Sequence, residues 1–203
     1  MALFVLILAA PLMMAIAIAI RTTSPGPALF RQKRSGLSGR PFQLLKFRTM
    51  RSDPFCCSVK LTSKGDKRVT SIGKWLRAWK LDELPQFINV LKGEMSLVGP
   101  RPDIEEFWLQ VSESHRTVLA MKPGITGAAS LRFIREEELL AQVPQAQLIE
   151  CYVLEILPRK VDLDLDYAAR ASFWSDIDIL LRTVLRVFHP PCAPVTNSGV
   201  QNE

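Results

Sequence analysis

The N-terminal run from Met1 to Ile20 constrains this chain most, because it contains no charged side chain. Its residues are almost all alanine, leucine, isoleucine, methionine, valine or phenylalanine, with Pro11 as an interruption. A helix rises about 1.5 Å per residue, so a helical run of this length can just cross a hydrocarbon core about 30 Å thick. The run therefore predicts a helix that is embedded in a membrane or removed as a signal.

Three interpretations of this run compete. Small residues at Ala15, Ala17 and Ala19 are typical of signal-peptide cleavage sites, but no basic region precedes the apolar run. A straight transmembrane anchor would place Arg21 and the following basic residues on the cytosolic side. Alternatively, a kink at Pro11 would divide the run into two half-helices of about ten residues that enter and leave the same leaflet. The residues alone leave the anchor and the re-entrant interpretations equally open.

The composition of the whole chain fits one domain with attachments. It has 203 residues, and its 26 basic and 20 acidic side chains give a net charge of +6. This balance suits a nucleic acid, an anionic membrane surface or a phosphate-rich substrate. The four cysteines lack C-x-x-C spacing, and neither histidine has metal-ligand spacing. A disulfide scaffold is therefore not expected, and a reducing, cytosolic location is the default.

A second stretch, from Lys80 to Pro102, begins with two adjacent carboxylates, Asp82 and Glu83. Apolar residues follow at the spacing of one helix face: Leu84, Phe87, Ile88 and Leu91. Asp82 suits an N-cap, Pro85 is tolerated in a first turn, and Gly93 is a suitable stop. The stretch predicts a helix whose positive dipole end lies at both carboxylates and favours their ionised form.

A rigid arginine follows this predicted helix. After a short predicted strand from Met95 to Val98, Arg101 stands between Pro100 and Pro102. Proline fixes its own φ and disfavours helix for the preceding residue, so the backbone here should be extended and the guanidinium held in one direction. An ionised acidic pair and a rigid arginine about twenty residues later indicate chemistry on an anionic substrate.

Three blocks of this stretch resemble the core signature of the bacterial sugar transferase family. They are Asp-Glu-Leu-Pro-Gln at 82–86, Asn-Val-Leu-Lys-Gly at 89–93 and Met-Ser-Leu-Val-Gly-Pro-Arg-Pro at 95–102. Members of that family are monotopic membrane enzymes that move a sugar phosphate from a nucleotide sugar to a polyprenol phosphate. The resemblance implies an α+β fold, with a compact mixed α/β catalytic domain, a small β-hairpin, an N-terminal re-entrant membrane helix and amphipathic interfacial helices.

A β-hairpin is predicted over residues 28–49, and its return strand places Lys46 and Arg48 on one face. The hairpin resembles the family's Gln-x-Arg-x-Gly and Lys-Phe-Arg-Thr-Met elements. Three of its residues are in register with that pattern: Gln32, Arg34 and Gly36. Lys46 and Arg48 would either bind substrate phosphate or form a solvated basic strand near lipid headgroups, where each cation is worth about 1 kcal/mol.

Two later segments have the pattern of amphipathic helices. Ile72 to Leu81 carries Trp75 and Trp79 among basic residues, which indicates either an interfacial helix or a buried core face. A helix from Asp176 to Phe188, capped by Ser175, has one apolar face that packs on the core or lies at the membrane.

The chain thus divides into three predicted parts. Residues 1–21 form the membrane-embedded helix, residues 22–189 the catalytic domain, and residues 190–203 a disordered tail rich in proline, asparagine, serine and glycine. Because the family breaks its membrane helix at such a proline, the resemblance favours the re-entrant interpretation with Pro11 as the kink. It also implies a bacterial inner membrane, with the catalytic domain on the cytoplasmic face.

The resemblance further implies a mechanism and the residues that carry it. Asp82 attacks the β-phosphorus of a UDP-sugar and releases UMP, and polyprenol (undecaprenyl) phosphate then attacks the covalent phosphosugar intermediate. Glu83 binds a metal or assists proton transfer. Four cations are candidate substrate-binding residues: Lys46, Arg48, Arg77 and Arg101.

Charge repulsion makes a metal and fixed cations necessary for this attack. A carboxylate about 4 Å from a phosphate charge is repelled by about 4 kcal/mol at an effective dielectric constant of about 20. Mg²⁺ held by Asp82 and Glu83 is therefore the expected cofactor. The expected partners are the UDP-sugar, polyprenol phosphate and membrane lipid, with downstream glycosyltransferases as further partners and no nucleic acid.

Two other functions remain compatible with the sequence. A membrane-anchored basic binding module would explain the positive charge, but it would not need an acidic pair beside Arg101. A metal-dependent hydrolase of nucleotide or lipid diphosphates would use the same acids and cations. No residue pattern indicates which sugar is carried.

Overall fold

The structure, a computed structural model, describes residues 2–51, 61–62 and 65–188. The helices are α1 Ala2–Thr23, α2 Ser71–Ala78, α3 Gln86–Leu91, α4 Glu105–Trp108, α5 Glu113–Arg116, α6 Ala128–Arg132, α7 Glu136–Leu140, α8 Leu148–Cys151, α9 Leu157–Ala169 and α10 Phe173–Phe188. The strands are β1 Leu29–Ser35, β2 Pro41–Phe47, β3 Ser96–Val98 and β4 Gly124–Thr126. The predicted mixed α/β class is confirmed.

Helix α1 is the apolar N-terminal run. With a mean hydropathy of 2.9, it is long and apolar enough to cross a membrane by length and composition. It continues through Pro11 as one helix, where two half-helices were expected, and the re-entrant topology stays a prediction. Near its C-terminal end, Ile16 and Ile20 are buried in a cluster with Phe47 and Leu76. This cluster joins α1 to the rest of the described chain.

Strands β1 and β2 form the predicted hairpin. They pair antiparallel, with Leu29 opposite Phe47 and Ser35 opposite Pro41. Its turn contains Ser38 with a φ of 55°, in the left-handed region. Because β2 runs back from this turn towards α1, its last residues lie where the hairpin, α1 and α2 come together.

The start of the helix that follows the acidic pair was predicted wrongly. Lys80 has a φ of 54°, and residues Leu81–Glu83 form a 3₁₀ turn, so α3 begins at Gln86 and Asp82 does not cap it. The left-handed residue redirects the chain just before the carboxylates. As a result, Asp82 is buried within the turn instead of standing at an exposed helix terminus.

The buried side of α3 is polar. Gln86 and Asn89 are buried, whereas Leu91 on the predicted apolar face is half exposed. The amide oxygen of Asn89 accepts from the Leu45 N–H at 3.1 Å, and its NH₂ group donates to the Gln43 carbonyl at 2.8 Å. These bonds tie α3 to β2, and α3 also packs against α1.

The predicted strand before Arg101 is confirmed as β3, which pairs in parallel with β4. The Gly99 N–H donates to the Thr126 carbonyl, and the Gly124 N–H donates to the Pro100 carbonyl, each at 2.9 Å. A Cβ on Gly99 or Gly124 would collide with the opposite backbone, so both positions need glycine. The loop that carries Arg101 is therefore fixed at its base.

The C-terminal half contains the main apolar core. Its least exposed members come from α4 through α9 and the turns between them: Phe107, Val118, Leu140, Tyr152, Val153, Leu157 and Val161. Helices α8 and α9 are joined by a π-helical segment, Tyr152–Ile156. This core holds the loop that follows Arg101, because the Tyr152 hydroxyl donates to Asp103.

Helices α2 and α10 present apolar side chains to solvent. Trp75 and Trp79 are 51% and 41% exposed, which favours the interfacial interpretation over the buried one. Helix α10 begins at Phe173, not Asp176, because Ser172 acts as the cap: the Ser175 N–H donates to its hydroxyl at 3.2 Å. The predicted tail at 190–203 lies outside the described residues.

Candidate active site

Glu83 is held by two cations from distant parts of the chain. Lys46 Nζ, near the end of β2, donates to Glu83 Oε1 at 2.9 Å. Arg101 Nη2, in the loop after β3, donates to the same oxygen at 3.0 Å. The Glu83 side chain is only 12% exposed, so both ion pairs are shielded from water. The structure thus brings together three residues that the sequence placed in the site.

The charges of this group support one another. Burial disfavours the charged form of Glu83, but Lys46 and Arg101 outweigh burial and hold the pKa of Glu83 well below its usual range. Glu83 in turn raises the pKa of Arg101. Burial lowers the pKa of Lys46, with Glu83 acting in the opposite direction. Glu83 is therefore an ionised anchor that fixes two cations.

Asp82 has a different environment from its neighbour. It is 7% exposed, and its Oδ1 atom is buried without a hydrogen-bond partner. Burial raises the pKa of Asp82, the negative charge of Glu83 adds to the effect, and Lys46 opposes it. The prediction that a helix dipole favours ionisation of both carboxylates is therefore wrong for Asp82. An unpartnered buried carboxylate oxygen is costly unless a ligand or a reaction uses it.

Arg77 is a third cation whose charge acts on the acidic pair. Its Nε donates to Thr49 Oγ1 at 3.0 Å, and its Nη1 donates to Glu137 Oε1 at 3.1 Å. The positive charge of Arg77 is close enough to lower the pKa of Asp82, against the effect of burial. The structure therefore places Arg77 near the nucleophile candidate, as the sequence predicted.

Arg48 is not brought to the acidic pair. Its Nη2 donates to the carbonyl and hydroxyl oxygens of Ser24 at 2.8 and 2.9 Å, and its Nη1 donates to the Pro25 carbonyl. The side chain is buried in these contacts at the end of α1. The structure thus gives the predicted substrate-binding Arg48 a structural position instead.

A small polar cavity opens beside Lys46 and Arg101, the two cations that hold Glu83. Its lining includes three cations and one amide side chain: Arg34, Lys46, Arg101 and Gln86. A concave site with converging cations suits a phosphate group. Arg34 and Gln86 were not named as site residues from the sequence. The available signal was their position inside the Gln-x-Arg-x-Gly and Asp-Glu-Leu-Pro-Gln motifs.

A buried polar network supports this cavity from behind. Arg34 Nη1 lies 3.4 Å from Asp103 Oδ1, and the Tyr152 hydroxyl donates to Asp103 Oδ2 at 2.9 Å. Lys160 Nζ donates to the Tyr152 hydroxyl at 3.0 Å and to Glu136 Oε2 at 2.9 Å. The network joins Arg34 and the Arg101 loop to the core, which fixes the cations before substrate binds.

A Mg²⁺ ion at this site would need oxygen ligands. Across the described ranges, His, Cys, Asp and Glu form no group of three that could hold a metal alone. Mg²⁺ commonly takes one or two carboxylates and completes its coordination with substrate phosphates and water. The unpartnered Asp82 Oδ1 fits such a shared site, whereas Glu83 Oε1 already accepts from two cations. The site thus fits Mg²⁺ that is bound together with a phosphate substrate.

The chain is similar to several curated proteins. It is 41% identical over 178 residues to a UDP-glucose:undecaprenyl-phosphate glucose-1-phosphate transferase of Caulobacter vibrioides, covering 86% of this chain and 62% of that protein. It is 39% identical over 191 residues to a protein of the same name in Escherichia coli K12, covering 93% of this chain and 38% of that protein. It is 35% identical over 181 residues to a UDP-N-acetylgalactosamine-undecaprenyl-phosphate N-acetylgalactosaminephosphotransferase of Aeromonas hydrophila. This match covers 86% of this chain and 38% of that protein.

The chain therefore spans less than two thirds of the length of these relatives. A family model described as bacterial sugar transferase matches residues 1–190, which is nearly the whole chain. The match includes the apolar helix, the hairpin, the acidic pair and the Arg101 loop. By this match, the chain belongs to the bacterial sugar transferase family.

Proposed function

We propose that this chain transfers a sugar 1-phosphate from a UDP-sugar to a polyprenol phosphate, such as undecaprenyl phosphate, and releases UMP. The observation that carries the proposal is the buried, unpartnered Oδ1 of Asp82 beside a glutamate that holds two cations. Similarity to relatives named for this reaction supports the substrate classes.

In the first step, a carboxylate oxygen of Asp82 attacks the β-phosphorus of the UDP-sugar. A new O–P bond forms, the bond between this phosphorus and the bridging oxygen of UMP breaks, and its electron pair leaves with UMP. Lys46 and Arg101, fixed by Glu83, lie where they can bind the phosphate oxygens. Arg77 adds positive charge on the side of Asp82.

In the second step, a phosphate oxygen of the polyprenol phosphate attacks the same phosphorus. The Asp82–phosphorus bond breaks, the carboxylate is regenerated, and a polyprenol diphosphate-sugar forms. Splitting the transfer in two lets one cationic cavity serve both substrates in turn. Mg²⁺, bound by Asp82 with Glu83 nearby, would neutralise phosphate charge and reduce the repulsion of the attacking carboxylate.

The apolar helix α1 supports a membrane-bound protein. We place the catalytic domain on the cytoplasmic face of a bacterial inner membrane, with α1 re-entrant, because a UDP-sugar is soluble and the acceptor is a lipid. The polyprenol-linked product is a substrate for glycosyltransferases that extend the glycan, as in exopolysaccharide production. UDP-glucose is the first donor to test, because relatives are named for it.

The experiment is a UMP-release assay on the purified protein in detergent. UDP-glucose, UDP-galactose and the UDP-N-acetylhexosamines are supplied with or without undecaprenyl phosphate. We expect one donor to give steady UMP release that requires the acceptor, with EDTA abolishing turnover and Mg²⁺ restoring it. Steady UMP or sugar-phosphate release without acceptor would identify a hydrolase instead. No turnover with any donor would contradict the proposal.

A further inference from the structure

Consecutive residues at the end of β2 contact four different parts of the protein. Lys46 pairs with Glu83 in the candidate active site. Phe47 is buried in the apolar cluster that contains Ile16 and Ile20 of α1. Thr49 accepts a hydrogen bond from Arg77. Arg48, between them, reaches the chain that leaves α1.

The side-chain hydrogen bonds of Arg48 all go to the two residues that directly follow α1. Its guanidinium donates to both oxygens of Ser24 and to the Pro25 carbonyl. Ser24 is itself joined to the last turn of the helix, because its N–H donates to the Ile20 carbonyl at 3.1 Å and its hydroxyl contacts the same oxygen at 3.3 Å. Ser24 therefore connects the Arg48 guanidinium to the last turn of α1.

The charge of Arg48 is suited to this place. Arg48 is 6% exposed, and within the described part of the chain no carboxylate pairs with it. The carbonyls at the C-terminal end of a helix carry a partial negative charge, which stabilises a nearby cation. Gly26 has a φ of 111°, and a Cβ there would collide with Arg48 Nη1. The turn is thus shaped around the guanidinium.

We propose that Arg48 is a positioning residue that fixes the end of the membrane helix against the strand that carries Lys46. It sets the height of the catalytic cavity relative to the lipid surface. The inference rests on the proposed function, because only a reaction with one soluble and one lipid substrate depends on this height. The UDP-sugar reaches the cavity from water, whereas the polyprenol phosphate is held by the membrane.

The test separates the two half-reactions in protein reconstituted into vesicles. The first is followed as exchange of labelled UMP into the UDP-sugar without acceptor, and the second as transfer to undecaprenyl phosphate. The variants are Arg48→Gln, Arg48→Lys and the milder Ser24→Ala, which removes one acceptor of the guanidinium. Arg21→Gln is the matched control, since Arg21 is an exposed cation in the last turn of the same helix.

We expect Arg48→Gln to keep exchange within about twofold while transfer falls by about tenfold or more through a higher KM for the lipid, because small displacements of a reacting group cost large factors. Arg48→Lys should restore transfer only in part, since lysine cannot bridge Ser24 and Pro25. Ser24→Ala should show the same pattern more weakly, and it keeps the test decisive if Arg48→Gln does not fold. Arg21→Gln should behave as wild type.

The inference would be overturned by an equal fall of exchange and transfer in a folded variant, or by unchanged transfer in all variants. A wild-type protein that shows no UMP exchange would instead count against the proposed function. The two failures are therefore distinguishable.

Discussion

At the scale of single residues, the site depends on two adjacent carboxylates with opposite environments. Glu83 accepts from Lys46 and Arg101, and these cations keep its pKa well below the usual range despite burial. Asp82 has an oxygen without a partner, and burial raises its pKa. Neighbouring acids whose pKa values move apart commonly have different roles. Here one acid anchors the cations and the other is left to react.

The Arg101→Lys variant tests whether the guanidinium geometry matters. Arg101 donates to Glu83 at 3.0 Å and lines the cavity. Lysine keeps the charge but loses the planar fork that binds two phosphate oxygens, so kcat/KM should fall by about tenfold or more with little change in Tm. Arg31→Lys, at an exposed position of β1, is the matched control. Near-normal kinetics of Arg101→Lys would reduce this residue to a surface role.

Asp164 gives a prediction about stability and pH. It is buried, it accepts from the Ala129 N–H at 3.1 Å, and burial raises its pKa to about 6. An unfolded chain loses this proton near about pH 4, so the free energy of unfolding should fall as pH rises between the two values. Asp164→Asn keeps an oxygen acceptor without a charge. It should therefore be more stable than wild type above pH 6, by on the order of 2–3 kcal/mol.

Thermal unfolding measured from pH 4 to pH 8 checks this prediction. The advantage of Asp164→Asn should appear as the pH rises and should be absent at the acidic end. Asp166→Asn, an exposed position on the same helix, is the control and should follow wild type. A stability difference between Asp164→Asn and wild type that does not change in favour of the variant as the pH rises would contradict the raised pKa of Asp164.

The positions of three arginines show what the sequence could and could not predict. Arg101 donates to Glu83, and the charge of Arg77 acts on Asp82, so both lie near the acidic pair; their substrate-binding role stays a prediction. Arg48 and Lys46 are alternate residues of one strand, so the period of two put them on the same face. However, β2 ends at Phe47, and the Arg48 side chain turns to the end of α1. The direction of the Arg48 side chain depends on how α1 packs against the hairpin. The alternation of residues along a strand does not predict that packing.

At the scale of elements, the hairpin, β3 and the helix of the two tryptophans were predictable because each has a local signal. The start of α3 was not. Nothing local indicates that Lys80 adopts a left-handed conformation, since lysine has no special preference for it. Long-range contacts favour the left-handed conformation of Lys80. Glu83 forms an ion pair with Lys46, and Asn89 accepts a hydrogen bond from the β2 backbone. The buried face of α3 is polar for the same reason.

The topology of α1 is the prediction that belongs to this scale. A re-entrant helix places the N-terminus and the catalytic domain on the same, cytosolic side. Pro11→Ala restores a backbone hydrogen bond and favours a continuous span of about 30 Å, which would move the N-terminus across the membrane. A cysteine in an added N-terminal tag should therefore react with an impermeant reagent in intact cells for Pro11→Ala and not for the natural sequence.

Permeabilised cells provide the control, because both tags should react there. Leu12→Ala is a matched variant that changes an apolar side chain without changing backbone hydrogen bonding, and its tag should remain protected. External labelling of the natural sequence would contradict the re-entrant topology and support a straight anchor. That outcome leaves the catalytic assignment unchanged.

At the scale of the whole molecule, the site draws residues that are attached to two separate apolar clusters. One cluster contains residues of α1, β2 and α2, and the other is the core of α4 to α9. Lys46 is attached to the first cluster, and the loop of Arg101 is supported by the second. Glu83 joins the two through its ion pairs. The candidate site therefore connects the part of the chain packed on α1 to the core of α4 to α9.

The most direct test of the account is the mass of the protein after incubation with its UDP-sugar and Mg²⁺ in the absence of acceptor. We expect an added sugar phosphate on a peptide that contains Asp82. This added mass should be lost when undecaprenyl phosphate is supplied. Asp82→Asn should show no added mass, whereas the exposed control Asp166→Asn should be modified like wild type. An adduct that persists in Asp82→Asn, or turnover by the natural sequence without any adduct, would contradict Asp82 as the nucleophile.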